Sequence, residues 1–471
     1  MRPGRQRNRS LPAGTRQPHQ VAVIGSGSGG REATLLAASK GLKTALIERD
    51  KIGGTCFHGG CYAVRVLQAC AREFRDRVSS GRFGDGVDLL KTTLSDWMRT
   101  QSKVSSRLAD RLQAELKQLN VEVHRGYAEL SNAQTLEIIG AQGAKTTITA
   151  DNVIVATGSR PHFFAASIPR LVNSEELLRI TTLPSHLAII GGGYIGCEFA
   201  SIYRSLGCQV TLIEKESRIL SGWESEAGEY VGKELGARGV TIQLNCNVSF
   251  AEIETTKTGV RIPVPGRKSV EADLVLVATG RRPNSHGVGL NALGVEDDGF
   301  LKVDDRMRLP QPGLYAVGDV NGISLLDSTA FSQASVAIGS ILGEESRFDY
   351  SWIPRCVHTE PSAAAVGLTQ EEATAHGFDC MAISEDIRLV SDDARSIADP
   401  EPTFLKIVIE SRSRRLLGCL VVGDHAPAIV NVAAIAMRSG VSIDKLREIP
   451  LAQPSASEAL MGALRKLDLV H

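Results

Sequence analysis

Residues 21–50 read VAVIGSGSGGREATLLAASKGLKTALIERD, and this stretch decides the fold. An apolar run, VAVI (21–24), leads into Gly25, Gly27 and Gly30, spaced Gly-x-Gly-x-x-Gly. A helix-like segment, REATLLAASKGL, follows, and then a second apolar run that ends on Glu48. Strand, tight turn, helix and strand is the order that a dinucleotide fingerprint needs. The glycines permit the turn and let the backbone approach a pyrophosphate at a helix N-terminus. The acid at the end of the second strand binds a ribose hydroxyl.

The same grammar returns at 187–216, LAIIGGGYIGCEFASIYRSLGCQVTLIEKE, with Gly191, Gly193 and Gly196 before a strand that ends on Glu214. Gly25 to Glu48 and Gly191 to Glu214 each span 23 positions. One such glycine pattern is weak evidence; two copies with matched strands, helices and acids specify two dinucleotide modules. A second repeat supports the duplication. VIVATGSRP (153–161) and LVLVATGRRP (274–283) each carry a buried strand into an Ala-Thr-Gly turn, placing Thr157, Gly158 and Gly280 where a module finishes, near its ligand. GLYAVGDV (313–320) ends a third apolar strand on Gly318-Asp319, and that acid suits a cofactor's ribityl chain. The expected fold class is therefore α/β, with two Rossmann-like domains. Two such sites read economically as a flavin and a nicotinamide exchanging electrons. Glu48 and Glu214 favour free 2′-hydroxyls, so NADH is expected over NADPH, with Arg218 the nearby cation that a 2′-phosphate would want.

Composition sets the frame. The 471 residues carry 53 basic and 53 acidic side chains, which favours neither nucleic acid nor a membrane surface as partner. No apolar run approaches the ~18 residues of a membrane-spanning helix. The Arg-rich start, MRPGRQRNRSLPAGTRQPHQ, lacks the apolar core of an export signal and reads as a disordered tail over 1–19, with a transit peptide as the alternative. Nine cysteines are too few and too scattered for a disulfide framework, which fits a reducing, cytoplasmic setting. Beyond residue 349, TFLKIVIE and RRLLGCLVVG read as antiparallel strands, and APAIVNVAAIAMRSG as an amphipathic helix stopped by Gly440. This α+β unit has no nucleotide fingerprint, and its apolar helix suits an interface.

One segment carries chemistry of another kind. GGTCFHGGC (53–61) places Cys56 and Cys61 in a glycine-rich loop with His58 between them. Isolated buried thiols, a metal site and a reactive pair are the three readings. A metal would need two further ligands, and none is evident locally.

In this order the parts resemble the pyridine nucleotide–disulfide oxidoreductases, the family that includes the dihydrolipoamide dehydrogenases. The resemblance covers nearly the whole chain. It rests on GxGxxG, GGTCxxxxC, ATG, GGGYIGxE, ATGRRPN, YAVGD and a C-terminal block ending PSASEAL. It implies an FAD-binding domain over 20–158 and 278–348, an NAD(P)-binding domain over 159–277, and a dimerisation domain over 349–471. FAD would be held by Gly25, Gly27, Gly30, Glu48, Gly54, Thr55, Thr157, Gly158, Gly318 and Asp319. NADH would be held by Gly191, Gly193, Tyr194, Gly196, Glu214 and Gly280. The implied protein is a homodimer whose sites are completed by the partner's C-terminal block. Cys56 and Cys61 become a redox-active disulfide. Hydride passes from NADH to the flavin and electrons pass on to the nearer sulfur, Cys61, at a helix N-terminus that favours its thiolate. Cys56, farther out, attacks an incoming disulfide, and the other thiol resolves the mixed disulfide.

Three departures from the family pattern bear on the substrate. Arg65 stands where most members carry Lys; its charge would pair with Glu198, although Arg and Lys are not interchangeable. Gln453 stands in place of the acid–base histidine, while Glu458 is retained. An amide carries no proton at neutral pH, which removes a contribution on the order of 10²–10⁴ in rate. His58 and His358 are the candidate replacement proton shuttles. No cysteine follows Cys419, which argues against mercury. The expected activity is NADH-dependent reduction of a small-molecule or carrier-bound disulfide other than lipoamide or glutathione. Cleavage of a thioether ketone and a non-catalytic flavoprotein subunit are the alternatives.

Overall fold

The computed structural model describes residues 18–79, 87–162, 168–296, 298–389, 401–451, 455 and 458–466. Of the expected tail, residues 1–17 lie outside that set. The first strand, His19–Ile24, starts two residues ahead of the apolar run. Main-chain pairing does not depend on side-chain polarity, and His19 is buried with its Nε2 3.0 Å from Glu122 Oε2.

The first sheet orders its parallel strands Glu122–Arg125, Thr44–Glu48, His19–Ile24, Lys145–Val155 and Leu314–Ala316. Val21, Ala22 and Val23 are fully buried because the sheet is covered on both faces. Burying each valine contributes about 1.5–3 kcal/mol. The long strand Lys145–Val155 also leads an antiparallel meander with Thr135–Ile139 and Tyr127–Asn132. The second sheet repeats the plan with Val240–Gln243, Gln209–Ile213, His186–Ile190, Leu274–Val277 and Leu171–Val172. A three-stranded antiparallel sheet over 254–272 packs beside it. The two Ala-Thr-Gly junctions pair with each other: Ser159–Pro161 and Arg281–Pro283 form an antiparallel ribbon.

The C-terminal unit is a five-stranded antiparallel sheet backed by the helix Ala426–Arg438. Gly440, at φ +63°, ends that helix as expected. The long helix Val87–Gln118 lies against the helix Cys61–Ser79, and both face the region where the modules meet. Charged clusters tie the parts together. Glu360 receives Arg75 and Arg238, and the buried Lys406 Nζ lies 2.6 Å from Glu224 and 2.7 Å from Glu226.

Candidate active site

Both glycine turns are shaped by the exclusion of side chains. Gly25 (φ +99°) and Gly191 (φ +110°) take left-handed backbone, and a Cβ on either would lie 2.5 Å from the carbonyl oxygen of Ala156 or Ala278. A Cβ on Gly30 would lie 1.9 Å from Gly25 O, and one on Gly196 would lie 1.8 Å from Gly191 O. These third glycines let helix and strand pack and do not themselves line the cavity. The middle glycines differ: a Cβ on Gly27 or Gly193 would meet nothing within 4 Å. Each is the N-cap of its helix, Ser28–Ser39 or Tyr194–Ser205, with no side-chain cap. Uncapped first-turn N–H groups beside open space suit a pyrophosphate.

The acids are fixed in parallel ways. Ser26 N and Oγ donate to Glu48 Oε2 at 2.8 and 2.6 Å, and Asp50 N donates to Oε1 at 2.8 Å. Gly192 N donates to Glu214 Oε2, and Glu216 N to Oε1 at 2.9 Å. Arg218 donates to the carbonyls of Ser221 and Trp223 at 3.3 Å, so its guanidinium serves its own loop.

The cysteine loop packs directly on the first turn. Gly54 (φ +59°) leaves no room for a side chain, since its Cβ would lie 2.8 Å from Gly27 Cα. Gly53 N donates to Ser26 Oγ at 3.0 Å, so one hydroxyl links the loop to Glu48. Thr55 and Cys56 lie in the short helix Gly54–His58, and Cys61 opens the helix Cys61–Ser79. The two thiols act on each other, which pushes Cys56 up and brings Cys61 down. Cys61 is the exposed one and opens onto the cavity, while Cys56 is 7% exposed. Cys56 also lines the cavity, from inside its short helix. His58 bonds the Ile52 carbonyl oxygen through Nε2 at 2.9 Å.

The expected Arg65–Glu198 pair is not a direct one. Arg65 Nη1 donates to Gln68 Oε1, one helical turn away, and Glu198 Oε1 accepts from His358 N at 2.8 Å. The longer guanidinium reaches its helix neighbour, and its charge reaches Glu198 only through space. Burial outweighs it and raises the Glu198 carboxyl. His358 Nε2 lies 3.0 Å from Cys356 Sγ. Burial, then Arg65, pushes His358 down to about 4, and burial, then Glu198, pushes the Cys356 thiol up to about 12. At neutral pH both are uncharged, which leaves His358 a poor proton shuttle.

Gly318 (φ +78°) and Asp319 close the first module. Asp319 Oδ2 accepts from Ser159 Oγ at 2.5 Å and lies 3.8 Å from Arg281 Nε. Burial raises its carboxyl, with Ser159 and then Arg281 opposing. One cavity of about 2220 Å³ joins these parts. It is lined by Gly25, Gly27, Glu48, Gly54, Thr55, Cys56, Cys61, Arg65, Thr157, Gly158, Gly318 and Asp319, and by Gly191, Gly193, Tyr194, Glu198, Glu214 and Gly280. Thr157 Oγ1 is buried there without a hydrogen-bond partner among the described residues. Gln453 lies outside the described residues, and Glu458 is placed only as the first residue of the helix Glu458–Lys466. Sequence reading missed Asp327, Cys356, Gln68 and Ser26. Asp327 had one signal, an acid opening the helix that follows Gly318-Asp319.

Comparison with known proteins follows the same lines. The family model described as pyridine nucleotide-disulphide oxidoreductase matches residues 19–340, and that of the family's dimerisation domain matches 353–464. A dihydrolipoyl dehydrogenase of Chlorobaculum parvum is 32% identical over 452 residues, covering 94% of this chain and 96% of that one. One from Chlamydia pneumoniae is 33% identical over 454 residues, covering 94% and 95%. Among solved structures, LpdA from Mycobacterium tuberculosis superposes with a TM-score of 0.86 at 26% identity, covering 95% of this chain and 99% of that one. The Cu(II) complex of RclA, an HOCl-induced flavoprotein disulfide reductase from Escherichia coli, gives 0.83 at 25%, covering 97% and 100%. Among the described residues no helix is long and apolar enough to cross a membrane, and no cluster of three or more His, Cys, Asp or Glu could hold a metal.

Proposed function

The chain belongs to the pyridine nucleotide-disulphide oxidoreductases, and from that premise we propose that it is an FAD-dependent enzyme that uses NADH to reduce a disulfide through Cys56 and Cys61. The observation that carries this is the continuity of one cavity from the first glycine turn, past both thiols, to the second. The residues present fit FAD. Gly25, Gly27 and Gly30 shape an uncapped helix start, Glu48 is held by Ser26, and Thr157 Oγ1 lacks a partner. Bound there, FAD supplies two-electron transfer between nicotinamide and thiols. Gly191, Gly193 and Gly196 shape the second turn, where Tyr194 opens the helix and lines the cavity beside Gly280. Glu214, with Arg218 turned to its own loop, favours a free ribose 2′-hydroxyl and hence NADH.

The chain's own part is to hold and move protons and sulfur. Cys61, at a helix start and brought down by Cys56, keeps the negative charge. Arg65, one turn along the same helix, supplies its charge to Glu198 in the place expected of a family lysine. The FAD unit comprises 20–158 and 278–348, the NAD unit 159–277, and 349–471 pairs two subunits in a cytoplasmic homodimer. With Gln453 in the histidine's place, and Glu458 with no imidazole to orient, the substrate is a thiol or disulfide other than lipoamide or glutathione. The decisive measurement is thiol mapping. NADH added anaerobically to oxidised protein should make Cys56 and Cys61, and no other pair, open to alkylation, and Cys61→Ser should abolish the response. Two cysteines that are already alkylated without NADH, or that never open with it, would overturn the reading.

A further inference from the structure

Arg31 stands in the first turn of the helix Ser28–Ser39, one residue past the third glycine of the first module. It is 9% exposed and lines no part of the cavity. A helix start disfavours a cation, and burial disfavours an unpaired one. Glu32, the next residue, feels its charge, but no carboxylate pairs with the guanidinium among the described residues. Two rings take that place. Arg31 Cζ lies 4.7 Å from the centre of the Phe57 ring and 4.7 Å from that of Phe331, in the helix Asp327–Ile341.

Phe57 stands next to Cys56, and its side chain is buried. A Cβ on Gly53 (φ +101°) would lie 2.0 Å from Phe57 Cδ2, so the turn before the thiols leaves the ring its space. Tyr62 stands next to Cys61, and its ring meets that of Phe57 in a T-shaped contact, with centres 5.5 Å apart and planes at 85°. Ser105 Oγ, on the long helix, donates to Phe57 O at 2.5 Å. The residues that flank the two thiols therefore touch each other, and Arg31 packs on the first of them. Both thiols are free in this structure, so these contacts hold the loop while the pair is open.

We propose that Arg31 is a positioning residue for the thiol pair: by stacking on Phe57 it keeps the Cys56–Cys61 loop in one conformation while the disulfide is open, and so favours its closing. The basis is chain entropy. Closing a disulfide costs less when the loop that carries the thiols is already ordered. A desolvated cation over a ring supplies that order from outside the loop. It does so without placing a charge in the cavity, where it would meet substrate or cofactor. Phe331 gives the guanidinium its second face and anchors it to another helix. When the pair closes against an incoming disulfide, the two cysteines lose two protons and two electrons and form one S–S bond. The incoming disulfide takes both and becomes two thiols.

The inference rests on the redox-pair role proposed above, so its test separates the two. Holoenzyme and its variants are equilibrated anaerobically with mixtures of reduced and oxidised glutathione, used as a redox buffer. The samples are quenched with acid, and the share of Cys56–Cys61 disulfide is read by alkylation and site-resolved mass spectrometry. Arg31→Met, which keeps length and loses charge, should move the equilibrium toward the dithiol by about ten-fold, the worth of one desolvated cation–π contact. Phe57→Leu should move it the same way. The double variant should add little to either, because both remove one contact. Arg31→Lys keeps the charge and should recover part of the shift. A merely structural role would lower flavin content or the unfolding midpoint and leave the thiol equilibrium in place. If Arg31→Met does not fold, Phe57→Leu and Arg31→Lys carry the test. Folded variants with the wild-type equilibrium, or shifts in Arg31→Met and Phe57→Leu that simply add, would overturn the proposal. Wild-type protein whose Cys56 and Cys61 never join at any glutathione ratio would instead overturn the functional reading.

Discussion

The two glycine turns are nearly superimposable in what they forbid and quite different in what they hold. In both, a Cβ on the third glycine would fall under 2 Å from a backbone oxygen, and both end on an acid held by main-chain N–H groups. Only the first has a serine between its glycines, and only there does the hydroxyl join the acid to another segment, through Gly53 of the cysteine loop. The second has Gly192 at that place and no such tie. The first turn is thus tied through Ser26 to the loop that carries the thiols, and the second is tied only to its own acid.

The largest test of this contrast is a matched pair of alanines. Gly30→Ala puts Cβ 1.9 Å from Gly25 O, a contact with backbone that cannot rotate away. The cost should reach about 3 kcal/mol, the upper end of overpacking, and the purified protein should lose its flavin. Gly196→Ala, with Cβ 1.8 Å from Gly191 O, should keep its flavin and lose reduction by NADH. Equal flavin loss in both would break the comparison. A smaller effect is expected from Ser26→Gly, which turns the first copy into the second. Two hydrogen bonds go, from Ser26 Oγ to the Glu48 carboxylate and from Gly53 N to Ser26 Oγ, the first worth about 1.5–3 kcal/mol, while the Ser26 main-chain bond to Glu48 stays. Flavin release on dilution, followed by fluorescence, should rise at least ten-fold. The smallest effect sharpens the contrast from the second module's side, where His358 bonds Glu198 on the Tyr194–Ser205 helix. A histidine lowered from 6.5 to about 4 stabilises the fold above pH 6.5, and that contribution fades as pH falls toward 4. His358→Gln should therefore flatten the fall of the unfolding midpoint over that window, while leaving it unchanged at pH 8.

Much of this was legible in the sequence because the constraints are local. A turn that admits no Cβ writes itself as three glycines, and two thiols on one short loop write themselves as Cys56 and Cys61. What was not legible comes from distant segments. Ser28 Oγ donates to Asp327 across 299 positions, and Gln68 Nε2 to His358 O at 2.7 Å across 290. No spacing rule relates such partners. The Arg65–Glu198 pairing failed for a related reason: the two lie in one cavity, but a glutamine one turn along the same helix was nearer to the guanidinium.

The ribbon of Ser159–Pro161 against Arg281–Pro283 has an evolutionary consequence. The chain leaves the first module and returns to it on paired strands, with Ser159 opposite Pro283. The host therefore spans a single strand-to-strand gap whatever lies between. A cassette whose ends sit side by side can be exchanged, shortened or duplicated without respacing the scaffold that receives it.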